Sequence, residues 1–354
     1  MKLNARVDVV KGDLGEDLVG PIADHGSRSF VVLTLTDEDG VVGVGEGSPL
    51  PGYSPDTTED AANDLRDLLE EPLEARASIS PRALLEIPEA QLMQSPAARF
   101  ALETALLDWL GKVRDKPAHV LVAHGPVAPV PVAHLVMEAN AESWERRADR
   151  LVARGATHLK FKVGQTFAAE VEALRKVRAS HPALTIRLDG NRRIALEEFQ
   201  LHVDALSSLD LEFIEEPVPE SDLLAAASLG LPLALDESLR DETSSRSLLP
   251  SPHVVAAVIK PTVLGGFSAA LELADIAREH DAEPVLSHTF EGPIGQAACA
   301  ELSLALQTRL AAGLGTHPCL LLWPTHRIAA MTSGDIQPHD APGLGLEFED
   351  VYDA

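Results

Sequence analysis

Five short segments decide the fold: HLKFKV (158–163), TIRLD (185–189), EFIEE (212–216), LALDE (233–237) and AVIK (257–260). Each is a run rich in apolar and β-branched residues, of the length of a buried strand, and each carries charge at its C-terminal end. The polar ends Lys162, Asp189, Glu215, Asp236 and Lys260 follow one another at intervals of 21 to 27 residues. That interval holds one strand, one helix and two short loops. Similar runs flank the series: HLVME (134–138) before it, EPVLS (283–287) and LAAGLG (310–315) after it. Eight βα-type runs predict a closed parallel barrel rather than an open doubly wound sheet. No GxGxxG or P-loop follows any of these runs, which argues against a nucleotide-binding sheet.

In such a barrel the chemistry lies at the C-terminal ends of the strands. Lys160 and Lys162 are two apart, so both point to one face of their strand. Acids then end the next three strands, and Lys260 ends the sixth, across the mouth from the second. Three hard oxygen ligands, completed by water or substrate, suit Mg²⁺. Zinc would more often recruit histidine or cysteine, and neither stands at these positions. Glu215 and Glu216 cannot both face a metal, because strand neighbours point opposite ways. Buried parallel strands lack clean alternation, so the sequence leaves that choice open. A lysine beside a cation and a second lysine has a lowered pKa and can act as a base near neutral pH. The arrangement suits removal of a proton next to a carboxylate, with the enediolate stabilised by metal and lysine.

Upstream, SFVVLTLT (29–36) and VVGVGE (41–46), joined by a turn at residues 37–40, predict a β-hairpin. The loop SPLPGYSP (48–55) is too rich in proline and glycine for regular structure. Ser54-Pro55 and Ser95-Pro96 each predict a helix start, with serine as N-cap and proline at the first helical position. The second helix carries Ala98, Leu102, Ala105, Leu106 and Trp109 on one face and stops near Lys116-Pro117. Residues 1–128 therefore read as an α+β capping domain. The linker GPVAPVPVA (125–133) feeds a barrel over 129–317, and residues 318–354 are expected to return to the cap.

The 354 residues carry a net charge of −26 and a pI near 4.8. Such a field repels phosphate backbones and anionic lipid, which disfavours nucleic-acid and membrane partners. Two cysteines, Cys299 and Cys319, suggest neither a disulfide framework nor a zinc motif. The start shows no signal-peptide pattern, and no apolar run is long enough to span a bilayer, so the expected location is the cytoplasm. Lysine is scarce: there are eight, two of them flanking Phe161. The sequence sets no oligomeric state.

LKFKVG (159–164), RLDGN (187–191), FIEEP (213–217), ALDES (234–238) and VIKPT (258–262) resemble the successive barrel motifs of the muconate-lactonising subgroup of the enolase superfamily. SPAARFALETALLDWLGK (95–112) resembles the helix leading into that barrel. The resemblance implies a modified TIM-type (β/α)7β barrel under an α+β N-terminal cap. GEGSPLPGYSPDT (45–57), DESLRDE (236–242), VIKPTVLGG (258–266) and LSHTFEGPIG (286–295) are most similar to the o-succinylbenzoate synthase family of menaquinone biosynthesis, Mg²⁺-dependent dehydratases. Carried over by motif, Asp189, Glu215 and Asp236 would bind Mg²⁺, with Mn²⁺ as a possible substitute. Lys162 would be the base, Lys260 the cation facing it, and Lys160 a support to Lys162. Asn191 and Glu237 would stand behind the ligands. Pro51, Gly52 and Tyr53 of the loop Leu50–Ser54, and the stretch Pro21–Ser29, would close over a small-molecule carboxylate substrate. Ser287 and Thr289 would touch that substrate. Two departures bear on specificity: RLDGNRR lacks a following tryptophan, and His288 stands where the family has small residues. N-succinylamino acid racemases and dipeptide epimerases share the same lysines and metal. GLGTHP (313–318) has no acid to hold a dipeptide ammonium, which argues against the epimerases. A mandelate-racemase-like enzyme would want histidine at Lys260, and a non-enzymatic binding protein would be expected to lose a ligand or a lysine, none of which is missing.

Overall fold

A computed structural model describes residues 1–13, 27–70, 72–85, 93–136, 140–317, 325–331 and 334–348. Two sheets organise them. The first is antiparallel, β1 (Lys2–Asp13), β2 (Ser27–Thr36), β3 (Val42–Gly47) and β4 (Leu73–Glu74), in the order β3-β2-β1-β4. The expected hairpin is β2–β3, with Thr36 opposite Val42 and Val31 opposite Gly47. Asp37 closes its turn by accepting from the N–H groups of Asp39 and Val41 at 2.9 and 2.8 Å.

Helix Pro96–Arg114 begins as expected, with the Ser95 hydroxyl accepting from the Ala98 N–H at 3.1 Å. It lies on β3 because two periods match. Four helical residues advance about 6 Å, and two strand residues about 6.6 Å. Gly47, Gly45 and Gly43 therefore meet Ala97, Ala101/Ala105 and Trp109 in order. A Cβ at Gly45 would lie 1.9 Å from the Ala101 carbonyl oxygen. Gly45→Ala is accordingly expected to destabilise the protein by about 3 kcal/mol, read as a lower urea midpoint. A midpoint within error of wild type would show that the helix can slide away at little cost.

The helix expected at Ser54-Pro55 starts later, as Thr58–Leu68, capped by Thr57 in a reciprocal pair with Asp60. Ser54 is occupied elsewhere: its hydroxyl accepts from the Leu50 N–H at 2.8 Å and closes the preceding loop.

The second sheet is parallel and runs in sequence order through β5 (Ala133–Val136), β6 (His158–Lys162), β7 (Thr185–Asp189), β8 (Leu211–Glu215), β9 (Leu233–Leu235), β10 (Val254–Ile259) and β11 (Glu283–Leu286). The eighth run, LAAGLG, forms no full strand, yet it joins the two sheet edges. The Ala133 N–H donates to the Ala312 carbonyl at 2.8 Å, and the Gly313 N–H to the Leu286 carbonyl at 2.7 Å. The result is the (β/α)7β barrel with an antiparallel cap sheet.

Strand parity sets the two layers. Leu159, Phe161, Ile186, Leu188, Ile214, Leu233 and Leu235 pack outward against the helices. Phe213, Ala234, Ala256, Val258 and Val285 form a separate cluster of opposite parity inside the barrel. Positions two residues beyond this inner set, Glu215, Asp236, Lys260 and Ser287, therefore face the barrel mouth.

Cap acids dock the two units. Glu46 is fully buried and accepts from the N–H groups of Gly292, Ile294 and Gly295 at 2.5, 3.1 and 3.0 Å, at the start of helix Pro293–Leu306. Glu103 accepts from the Ser268 N–H at 2.9 Å at the start of helix Phe267–Glu279. Both place a carboxyl group at a helix N-terminus, where the free N–H groups favour its charge while burial opposes it. The C-terminal segment meets the cap where the Leu344 N–H donates to Asp108 at 2.9 Å, and the barrel entry where Ile336 pairs with Val130. Further on, β12 (Thr325–Ile328) pairs with β13 (Leu346–Phe348). Parts of three expected features lie outside the described residues: the end of HLVME (137–138), Pro21–Gly26 of the cap loop, and 318–324 of the tail.

Candidate active site

Lys160 and Lys162 end β6, Asp189 ends β7, Glu215 ends β8, Asp236 follows β9 and Lys260 follows β10. The barrel brings all six to one mouth. The Lys160 ammonium donates to Glu215 at 2.6 Å and pairs with Asp189 at 2.9 Å. Lys162 donates to the Asn191 side-chain oxygen at 2.7 Å and lies 3.7 Å from Asp189. Lys260 pairs with Asp236 and donates to the Tyr53 hydroxyl at 2.7 Å. Asn191 thus touches Lys162 directly, and its amide reaches Glu237 at 3.4 Å.

The two glutamates that the sequence could not separate part company here. Glu215 turns into the mouth. Glu216, at φ +38°, accepts from the N–H groups of Asp236 and Ser238 at 3.0 and 2.8 Å and pairs with Arg192 at 3.0 Å. It buttresses the β9 loop from behind.

Crowding sets the charges. Burial, and then Asp189, push Glu215 up to about 8. Burial also works against Asp189, but Lys160, Lys162 and Lys260 hold its carboxyl below the usual range. Burial likewise opposes ionisation of Asp236, and Lys260 overcomes it. Burial lowers Lys162, Asp189 opposes this, and Lys160 and Lys260 add to the lowering. Burial works against charge on Lys160 and Lys260 too, yet both are raised, by Asp189 with Glu215 and by Asp236 respectively.

The three acids are the donor set of a divalent cation, and their oxygens, held here by Lys160 and Lys260, would draw together on one. Glu215 Oε1 is buried without a hydrogen-bond partner among the described residues, a lone oxygen on a carboxylate whose strand lies between those of Asp189 and Asp236. All-oxygen donors are the set that magnesium takes.

The cap closes one side. Within Leu50–Ser54 the Tyr53 hydroxyl lies 2.9 Å from both Asp236 oxygens, while Pro51 and Gly52 are exposed. Arg240, in the loop after β9, donates to the Tyr53 carbonyl at 2.7 Å and stacks 3.9 Å from its ring centroid. The sequence reading placed Tyr53 over the site but missed Arg240, whose only signal was its place in DESLR, four residues after Asp236. Arg240→Ala is expected to raise KM about tenfold with kcat nearly kept, since about 1–2 kcal/mol of loop docking is lost. An unchanged KM would show the loop docks without it.

Of the other expected contacts, Ser287 lies at the mouth with its hydroxyl 3.4 Å from the Gly313 carbonyl. The Thr289 hydroxyl is taken by Glu291 at 2.8 Å, so its side chain braces the loop. The backbone carbonyls of Thr289 and Ser48 both accept from buried Arg28 at 3.1 Å, which ties the seventh-strand loop to the cap. His288 packs 4.3 Å from the His317 ring, and burial, then Lys260, push it down to about 3, so it stays neutral.

A parallel barrel whose mouth sets lysines from the second and sixth strands about three acids is the architecture of the enolase superfamily. The chain belongs to it: residues 143–351 match the family model for the enolase C-terminal domain-like fold, and residues 21–123 that for the mandelate racemase / muconate lactonizing enzyme N-terminal domain. Relatives include an o-succinylbenzoate synthase of Desulfotalea psychrophila, 30% identical over 79% of this chain and 84% of that protein. Protein PHYLLO, chloroplastic, of Arabidopsis thaliana is 33% identical over 77% of this chain, which spans only 17% of that longer protein. N-succinylamino acid racemases are also relatives, that of Thermus thermophilus at 27% identity over 76% of this chain and 73% of its own length. Among solved structures, a dipeptide epimerase of Enterococcus faecalis crystallised with Mg and a dipeptide shares the fold, with a TM-score of 0.85 at 22% identity over 98% of this chain and 100% of its own. No helix among the described residues is long and apolar enough to cross a membrane.

Proposed function

We propose that the protein is an o-succinylbenzoate synthase, a cytoplasmic dehydratase that converts 2-succinyl-6-hydroxy-2,4-cyclohexadiene-1-carboxylate to o-succinylbenzoate for menaquinone biosynthesis. The observation that carries the reading is the inequality of the two lysines. Lys162 is lowered and, among the described residues, is held by Asn191 and a more distant Asp189, so it can be neutral. Lys260 is fastened to Asp236 and Tyr53, which raise it and place it as the cation. Dehydration needs one base and one cation, whereas racemisation needs two bases that alternate. Relatives named as synthases over most of their length add to this reading.

Lys162 Nζ takes the proton from the carbon bearing the carboxylate, and that electron pair moves into the carboxylate as an enediolate. Lys260 lies opposite and stabilises the added negative charge. The enediolate then collapses, the neighbouring C–O bond breaks, and hydroxide leaves as water with the proton that Lys162 had taken. Lys162 ends neutral, and the ring becomes aromatic. Asp189, Glu215 and Asp236 would hold Mg²⁺, which when bound supplies Lewis-acid stabilisation of the substrate carboxylate. Tyr53 and its loop exclude water from the mouth.

The test is the ultraviolet change of the cyclohexadiene substrate with protein and Mg²⁺, with EDTA as control. Conversion to the aromatic product, lost with EDTA, supports the synthase. No conversion despite measured Mg²⁺ binding sinks it, and deuterium exchange into N-succinylamino acids would then support the racemase instead.

A further inference from the structure

We infer that a second metal site, for zinc or a cation of similar softness, lies among His119, Glu301 and His339, apart from the barrel mouth. The three come from different parts of the chain: helix Ala118–Val122, helix Pro293–Leu306 and the C-terminal segment. His119 Nδ1 is 2.8 Å from one oxygen of Glu301, and His339 Nε2 is 2.6 Å from the other. All three donor atoms lie within 4.8 Å of one another, a closeness no other trio of His, Cys, Asp or Glu reaches among the described residues. The side chains are 2%, 0% and 9% exposed. The imidazole rings meet nearly edge to face, so two nitrogens approach one carboxylate without the rings colliding.

The charges favour a cation there. Glu301 lies in the third turn of its helix, too far in for the helix N-terminus to serve it. Its ion pairs among the described residues are with the two imidazoles, and the His119 N–H adds one hydrogen bond at 2.8 Å. Among the described residues no lysine or arginine is paired with it, unlike the acids at the barrel mouth. A buried carboxylate without such a partner takes a proton-bearing imidazole or a metal. Two imidazoles and a carboxylate are a zinc donor set, whereas magnesium prefers oxygen alone. Tetrahedral zinc needs its donors about 3.3 Å apart, so the two imidazole–carboxylate contacts of 2.8 and 2.6 Å would open by roughly half an ångström. Glu301 sits eight residues into its helix, about 12 Å from the end facing the mouth. Zinc here would fasten the C-terminal segment to the barrel and would not touch substrate.

The full chain, stripped with chelator and dialysed against Zn²⁺ with excess Mg²⁺, is assayed for metal by mass spectrometry, beside His339→Gln and Asp189→Asn. One zinc per chain is expected in wild type and in Asp189→Asn, with zinc raising the melting temperature of both. His339→Gln is expected to lose at least tenfold in zinc affinity. Should that variant fail to fold, X-ray absorption of zinc-loaded wild type decides, with two imidazoles and one carboxylate expected. Wild type holding no zinc, or zinc in an all-oxygen shell, overturns the inference and leaves the trio as a proton-bridged clasp.

Discussion

Lys162→Ala is expected to lower kcat by about a thousandfold or more, with Mg²⁺ affinity nearly unchanged. The reason is positional. Lys162 is the lysine of the mouth that burial and its neighbours push down, and its firm contact is a neutral amide rather than a carboxylate. A base works when it is unprotonated, so kcat/KM should rise with pH along an acid limb set by Lys162, below the ordinary lysine range. Lys160→Ala should move that limb to higher pH, because it removes a cation that disfavours charge on Lys162 and leaves Asp189 and Glu215 less balanced. A limb that stays put in Lys160→Ala, or a Lys162→Ala variant within tenfold of wild type, would assign the proton transfer elsewhere.

Adjacent glutamates should give opposite phenotypes. Glu215→Gln is expected to lower Mg²⁺ affinity at least a hundredfold, and activity with it, while the fold holds. The protein is expected to keep or gain stability, since a carboxyl pushed up to about 8 by burial and Asp189 is replaced by a neutral amide. Glu216→Gln should do the reverse. It keeps metal binding nearly intact but costs about 2 kcal/mol, because a buried acceptor of two N–H groups and the Ser238 hydroxyl is weakened and Arg192 loses its charge partner. Titration calorimetry with Mg²⁺ and urea unfolding of both variants separate these outcomes. Equal loss of metal binding in the two variants would contradict the division of labour read from the barrel.

The barrel was legible because its signal is local. A run of apolar residues closed by a charge, repeated every 21 to 27 residues, needs no distant partner to be read. The Ser95 helix cap was legible for the same reason, and Ser54 misled because a hydroxyl that can cap a helix can equally close a loop. The eighth run was visible as a run, though its pairing through Ala312 and Gly313 belongs to barrel closure. His288 was legible as an oddity, but its neutral state depends on burial beside His317 and the lysines.

The sequence by itself determined which residue types end the barrel strands, their order around the mouth, and hence carboxylates facing lysines. Tertiary structure alone decided the rest. Inner and outer parity in a sheet apolar on both faces chose Glu215 over Glu216. Contacts across long separations were equally hidden: Tyr53 with Asp236, 183 residues apart, Arg240 with Tyr53, 187 apart, and Glu46 with Gly292, 246 apart. His119 and Glu301, 182 apart, belong with them. The physical reason is common to all. Period and spacing are properties of neighbours along the chain and can be read in one dimension. A hydrogen bond between two surfaces depends on how those surfaces are brought together, which only the packed core fixes.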